Sequence, residues 1–162
     1  MKAIVIAAIA FAAAGSALAQ GSYPTRPVTM VVGFAPGGGT DAVARILAKN
    51  LSDSFGQQVV VENKAGAGGN IATDYVARAE PDGYTILLGS VGSLAVAPHV
   101  ITNLGYAPLR DFAPITMAVV FSNVLVVQAS MPAQTLADFV KLAKEKPGMV
   151  TFGSSGILGA GH

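Results

Sequence analysis

The residues best suited to chemistry here are small and polar: Phe34-Ala35-Pro36-Gly37-Gly38-Gly39-Thr40-Asp41. An apolar stretch, Val28–Phe34, leads into them, and a helix-patterned segment opens at Thr40. This order reads as strand, tight glycine turn, helix N-terminus. The first amides of a helix have no carbonyl to bond and the helix dipole is positive there, so the turn suits an anion without any charged side chain. The spacing excludes two familiar phosphate loops: the glycines do not fall on GxGxxG, and no Lys follows them as GxxxxGK[ST] requires. A glycine turn with no ligand stays open as the alternative.

Three other stretches have the same character: Gly89–Ser93 with Ser90 and Gly92, Phe121–Asn123 with Asn123, and Gly153–Gly156 with Ser154, Ser155 and Gly156. Each follows a β-type apolar run, and ligands of open parallel sheets sit beyond the carboxyl ends of strands. Neutral hydroxyls, amides and backbone N–H groups suit a carboxylate, held directly or through water. Signals for catalysis are weak. Ser90, Ser93, Ser154 and Ser155 lack the GxSxG elbow. His99 and His162 are far apart in sequence, no HExxH occurs, and no cofactor or metal motif is present. His99 reads as a loop residue, and Asp41 as a helix-terminus residue rather than a general base.

The elements that must position these turns follow a clear order. Val28–Phe34 is apolar on both faces, as a strand buried between helices would be. Thr40–Phe55 is expected to be a helix, capped by Thr40, burying Val43, Ile46, Leu47, Leu51 and Phe55, and ending at Gly56. A strand is expected over Val59–Glu62, and a second glycine turn over Asn63–Gly69. A helix over Asn70–Ala79 with Ile71, Tyr75 and Val76 on one face, a turn at Pro81-Asp82-Gly83 and a strand over Tyr84–Leu88 complete this half. Leu94–Asp111, with Pro98 and Pro108, reads as irregular. Ile115–Phe121, Val124–Gln128 and Met149–Gly153 read as strands. Thr135 is placed as the cap of a helix over Leu136–Lys144, with Leu136, Phe139, Val140 and Ala143 inward. The order βαβαβ, then ββαβ, predicts an α/β fold with a largely parallel sheet.

The chain has 162 residues, the size of one ordinary domain. Lys2, the apolar Ala3–Ala14 and the Ala17-Leu18-Ala19 cleavage site predict a signal peptide over residues 1–19, too short to span a membrane. Its loss removes one of the ten basic residues and leaves a formally neutral chain. With 7% aromatics and no basic run, nucleic-acid binding has no support. The absence of Cys excludes disulfides, thiolate metal sites and a cysteine nucleophile.

The runs YPTRPVTMVVGFAPGGGTDAVAR (Tyr23–Arg45), GQQVVVENKAGAGGNIATDYVARAEPDGYTILLGS (Gly56–Ser90), LRDFAPIT (Leu109–Thr116), NVLVV (Asn123–Val127) and FGSSG (Phe152–Gly156) together resemble one family. It is that of the periplasmic solute receptors of tripartite tricarboxylate transporters, of Bug or TctC type. The resemblance implies a two-lobed periplasmic-binding fold of type II that closes on a small carboxylate. It places the first lobe over 20–122 and the start of the second over 123–162. It also implies ligand contacts from Phe34, Pro36, Gly37, Gly38, Gly39, Thr40 and Asp41, faced by Ser90, Gly92, Ser154, Ser155 and Gly156; the strand-end argument adds Asn123 to these candidates. The two membrane subunits of such a transporter would be the partners, and no enzymatic activity is implied. Family chains continue beyond the point matching His162, so the expectation is a truncated chain whose first lobe lacks its returning elements. A hydrolase built on Ser90 or Ser155, and a remnant without a ligand, are the alternatives.

Overall fold

Val28–Val32 (β1) is apolar on both faces because it forms the middle of a three-stranded sheet. The computed structural model describes residues 23–154. Residues 1–19, expected as signal peptide, and the expected site residues Ser155 and Gly156 lie outside them. Val59–Asn63 (β2) and Thr85–Leu88 (β3) flank β1 in the order β2-β1-β3, both parallel to it. Val28, Val31 and Val32 are wholly buried. Burying one such side chain contributes roughly 1.5–3 kcal/mol.

Helix Gly39–Phe55 (α1) covers one face of this sheet and packs on β1 and β2. Ala44 and Ala48 meet Val28, Met30, Val32 and Val59, with Leu47 and Leu51 half-buried at the margin. The expected face is therefore rotated: Ile46 is exposed, and small residues make the close contact. Thr40 is not the cap. Gly38 takes that position without a side-chain hydrogen bond, and Gly56 closes the helix in the left-handed conformation. Helix Asn70–Ala77 (α2) packs against β1 and β3. At the sheet's amino end, Tyr23 Oη donates to Gly83 O (2.6 Å), and Arg26 pairs with Asp82 (2.7 Å) while lying over the Tyr84 ring.

The segment Leu94–Asp111, expected to be irregular, contains helical turns. A π-type turn, Gly92–Val96, runs into Ala97–Val100 (α3), and Pro108–Asp111 (α4) follows. Pro98 and Pro108 sit at the first positions of α3 and α4, where a missing N–H is no loss. The strands expected over Ile115–Phe121, Val124–Gln128 and Met149–Gly153 do not form among the described residues. A strand needs a hydrogen-bonded neighbour, and these runs are solvent-exposed, Ile115, Val124 and Phe152 among them. Helix Leu136–Glu145 (α5) carries the expected Thr135 cap as a full capping box with Asp138. None of its residues is buried, however, so the inward face expected for Leu136, Phe139, Val140 and Ala143 is not covered.

Candidate functional site

Parallel strands in register end together. Val32 is aligned with Asn63 on one side and with Leu88 on the other. The chain therefore leaves the sheet three times at one edge, into 33–41, 63–70 and 89–93. Two of these turns are those singled out by sequence; the third, 63–70, joins them. Gly33 and Gly69 touch so closely that a Cβ on Gly33 would lie 2.7 Å from Gly69 Cα. Gly69 in turn faces the Ser90 hydroxyl and the Phe34 ring.

The first turn presents the N-terminus of α1. Ala42 N–H, bonded to Gly38 O (3.0 Å), belongs to the first backbone bond of the helix. The amides of Gly39, Thr40 and Asp41 precede it and have no carbonyl within the helix to bond. Gly37 adopts a positive φ of 87°, and Pro36, Gly37, Gly38 and Gly39 are exposed. Thr40 is half-buried in the first turn, and the Phe121 ring lies over Gly39.

Asp41 is buried and fully engaged. Oδ2 accepts from Gly37 N–H and Arg45 Nε, and Oδ1 accepts from Arg45 Nη2 and Asn63 Nδ2, all at 2.9 Å. These bonds, Arg45's first and then those of Gly37 and Asn63, hold its carboxyl well below the usual carboxylate range despite burial, which acts the other way. Asn63 Nδ2 also donates to Phe34 O (3.0 Å).

The other two turns are joined by Tyr106. Its buried hydroxyl lies 2.6 Å from both Asn70 Oδ1 and Ser93 O. One phenolic proton serves two acceptors, and burial pushes the hydroxyl's pKa up. Asn70 Nδ2 donates to Ala67 O (2.6 Å), and Thr73 Oγ1 to Gly69 O (3.0 Å). Ser90 Oγ lies 3.3 Å from Ser93 Oγ and accepts from Ser93 N–H (3.3 Å); Gly92 is buried beside it. Among the described residues these bonds join the two serines to each other.

Phe34, Pro36, Gly37, Gly38, Gly39, Thr40, Asp41, Ser90 and Gly92 therefore gather at one edge. Asn123 lies two residues beyond Phe121, on an exposed stretch. Ser154 ends the described residues in an irregular segment outside the sheet. Sequence reasoning finds the 63–69 glycine turn but does not place it, Asn63 or Asn70 at the candidate site, although the strand-end rule applies to β2 as well. Arg45 was findable as the i+4 partner of Asp41. Tyr106 had no local signal. A hollow of about 660 Å³ along α5, lined by Leu136, Val140 and Lys144, is one open helix face and belongs to a different part of the fold. Among the described residues no cluster of His, Asp or Glu could hold a metal, and no helix is long and apolar enough to cross a membrane.

Residues 43–162 match the family described as tripartite tricarboxylate transporter family receptor. BugT of Bordetella pertussis is 40% identical over 155 residues, covering 95% of this chain and 48% of BugT. The structure of the periplasmic binding protein BugD is 42% identical with a TM-score of 0.74, over 85% of this chain and 46% of that one. An R. palustris protein solved with adipate is 39% identical with a TM-score of 0.77, over the same shares. MatC of Rhodopseudomonas palustris, solved with bound malate, is 36% identical with a TM-score of 0.71, over 75% of this chain and 42% of MatC. The chain spans about half the length of these relatives. Its α/β unit is part of the fold of periplasmic binding proteins.

Proposed function

Because this chain belongs to the tripartite tricarboxylate transporter receptor family, we propose that it binds a small organic di- or tricarboxylate in the periplasm and presents it to the membrane subunits of such a transporter. The signal peptide over 1–19, the first lobe over 20–122 and a second lobe opening at 123 are part of this proposal. The observation that carries it is the convergence of the three strand-end turns around the N-terminus of α1. The amides of Gly39, Thr40 and Asp41 there can receive a carboxylate oxygen, directly or through water. Phe34, Pro36, Gly37 and Gly38 shape the turn. Ser90 and Gly92 form the wall beside it, and Asn123, Ser154, Ser155 and Gly156 are assigned to the opposite side. Relatives solved with adipate and with malate support the ligand class.

Thermal unfolding of the purified protein against citrate, malate, adipate and an uncharged sugar tests the proposal. A ligand at a hundredfold its Kd adds about 2.7 kcal/mol to stability, which a melt detects readily. At least one acid is expected to raise the midpoint and the sugar to leave it unchanged. No shift with any acid at high millimolar concentration removes the proposal.

A further inference from the structure

The Gly37–Gly39 turn is pinned at two points by side chains outside it. Asn63 Nδ2 holds the Phe34 carbonyl at its start, and Asp41 Oδ2 holds the Gly37 amide at its crest. Both pins meet at the Asp41 carboxylate, which Arg45 grips with two nitrogens while also donating to Asn63 Oδ1 (3.3 Å). This arrangement creates an electrostatic problem. A full negative charge stands within the first turn of the helix whose amides would receive a second one. The helix N-terminus carries only about half a positive unit charge. Arg45 supplies the remainder, and its planar fork does so bidentately.

We propose that Arg45 and Asn63 are positioning residues for the anion site, acting through Asp41. Arg45 neutralises the internal carboxylate so that an external one can approach, and together they hold the turn with its amides outward. The inference deepens the carboxylate-binding reading and rests on it for the effect on ligand. Its effect on the turn stands without any ligand. Arg45 is half-exposed, so its loss does not open a cavity in the core.

The test uses Arg45→Gln, Asp41→Asn/Arg45→Gln and Asn63→Ala in the whole protein. Malate and adipate titrations and amide hydrogen exchange are the readouts. Arg45→Gln should weaken binding about tenfold or more, because it leaves Asp41 as an uncompensated charge facing the ligand. The double variant should recover most of that loss, since the uncompensated carboxylate is gone and Asn can still accept from Gly37 N–H. A merely structural role for Arg45 predicts no such recovery. In the absence of ligand, exchange at Gly37 N–H should rise about tenfold in both Arg45→Gln and Asn63→Ala. Wild-type affinity in Arg45→Gln, or a double variant no better than the single one, overturns the charge role. Unchanged exchange at Gly37 in both single variants overturns the positioning role. If the wild type binds neither acid, the carboxylate reading fails for these ligands, while the exchange result still decides whether the turn is held as described.

Discussion

Gly33 and Gly37 lie four residues apart on one turn, yet their replacement should fail for different reasons. At Gly33 the obstacle is space. A Cβ would stand 2.7 Å from Gly69 Cα, 3.1 Å from Gly69 O and 3.3 Å from Gly69 C. Carbon contacts are comfortable at about 3.5–4.0 Å, so the first of these is short by roughly 0.8 Å. Neither side yields easily, because both are backbone. Lys64 N–H bonds Val32 O (2.8 Å) just before Gly33, and Gly69 is held through its own N–H to Gly66 O (2.9 Å) and its carbonyl to Thr73 Oγ1. Overpacking of this kind costs about 1–3 kcal/mol. With a urea slope of about 2 kcal/mol/M, Gly33→Ala should lower the midpoint by roughly 1 M. At Gly37 a Cβ meets nothing within 4 Å, but φ is +87°. The cost there is conformational, about 1 kcal/mol for Ala, and Asn, which tolerates positive φ, should recover part of it. Asn at position 33 should instead be worse than Ala, being larger. Urea unfolding of Gly33→Ala, Gly33→Asn, Gly37→Ala and Gly37→Asn separates the two mechanisms. A Gly33→Ala midpoint indistinguishable from wild type would refute the contact between the turns, and Gly37→Asn no better than Gly37→Ala would refute the backbone argument.

Tyr106→Phe should destabilise the protein by about 1–3 kcal/mol in urea, because it leaves Asn70 Oδ1 and Ser93 O buried without their donor; a neutral effect would mean that water replaces the hydroxyl. Asp41 has a carboxyl pKa in the folded protein below its ordinary value of 3.8, so the stability it contributes is complete above that value and is lost as pH falls below it. Asp41→Asn should therefore unfold less steeply with acid in this window, and an unchanged slope in acid titrations followed by circular dichroism would contradict the network. Thr135→Ala breaks the capping box of α5, worth about 1 kcal/mol to that helix. Since α5 buries no residue, the loss should appear as faster amide exchange over Leu136–Asp138 with little change in the global midpoint.

The first βαβ unit was legible because three independent signals agreed: a run apolar on both faces, a glycine turn and a helical pattern. The gathering of the strand-end turns at one edge of the sheet follows from parallel topology alone. The side of α1 that packs was misjudged because periodicity counts large apolar residues, whereas close helix–sheet contact favours Ala44 and Ala48. Thr40 looks like a cap by residue type, but the helix begins one residue earlier, at Gly39, and Gly38 takes the cap position with extended backbone. Leu94–Asp111 reads as irregular by sequence, yet Pro98 and Pro108 lie in the first turns of short helices. The β-type runs after Ile115 show a different limit. Propensity describes one segment, while a strand is a property of two.

The negative charge of Asp41 bears on the whole candidate site. Read alone, a carboxylate in a candidate carboxylate site argues against that site. Beside Arg45, it is compatible with the proposed anion site in a chain whose formal net charge is only +1. The pair adds no net charge, yet its internal anion draws the Gly37 amide inward and, through Asn63, fixes the Phe34 carbonyl. The turn's geometry is thereby set before a ligand arrives, and the amides of Gly39, Thr40 and Asp41 are left as donors of fixed direction. Attraction from such donors is short in range and sensitive to shape. On the proposed carboxylate-binding reading, selection among acids depends on the spacing and number of their carboxylates rather than on their total charge.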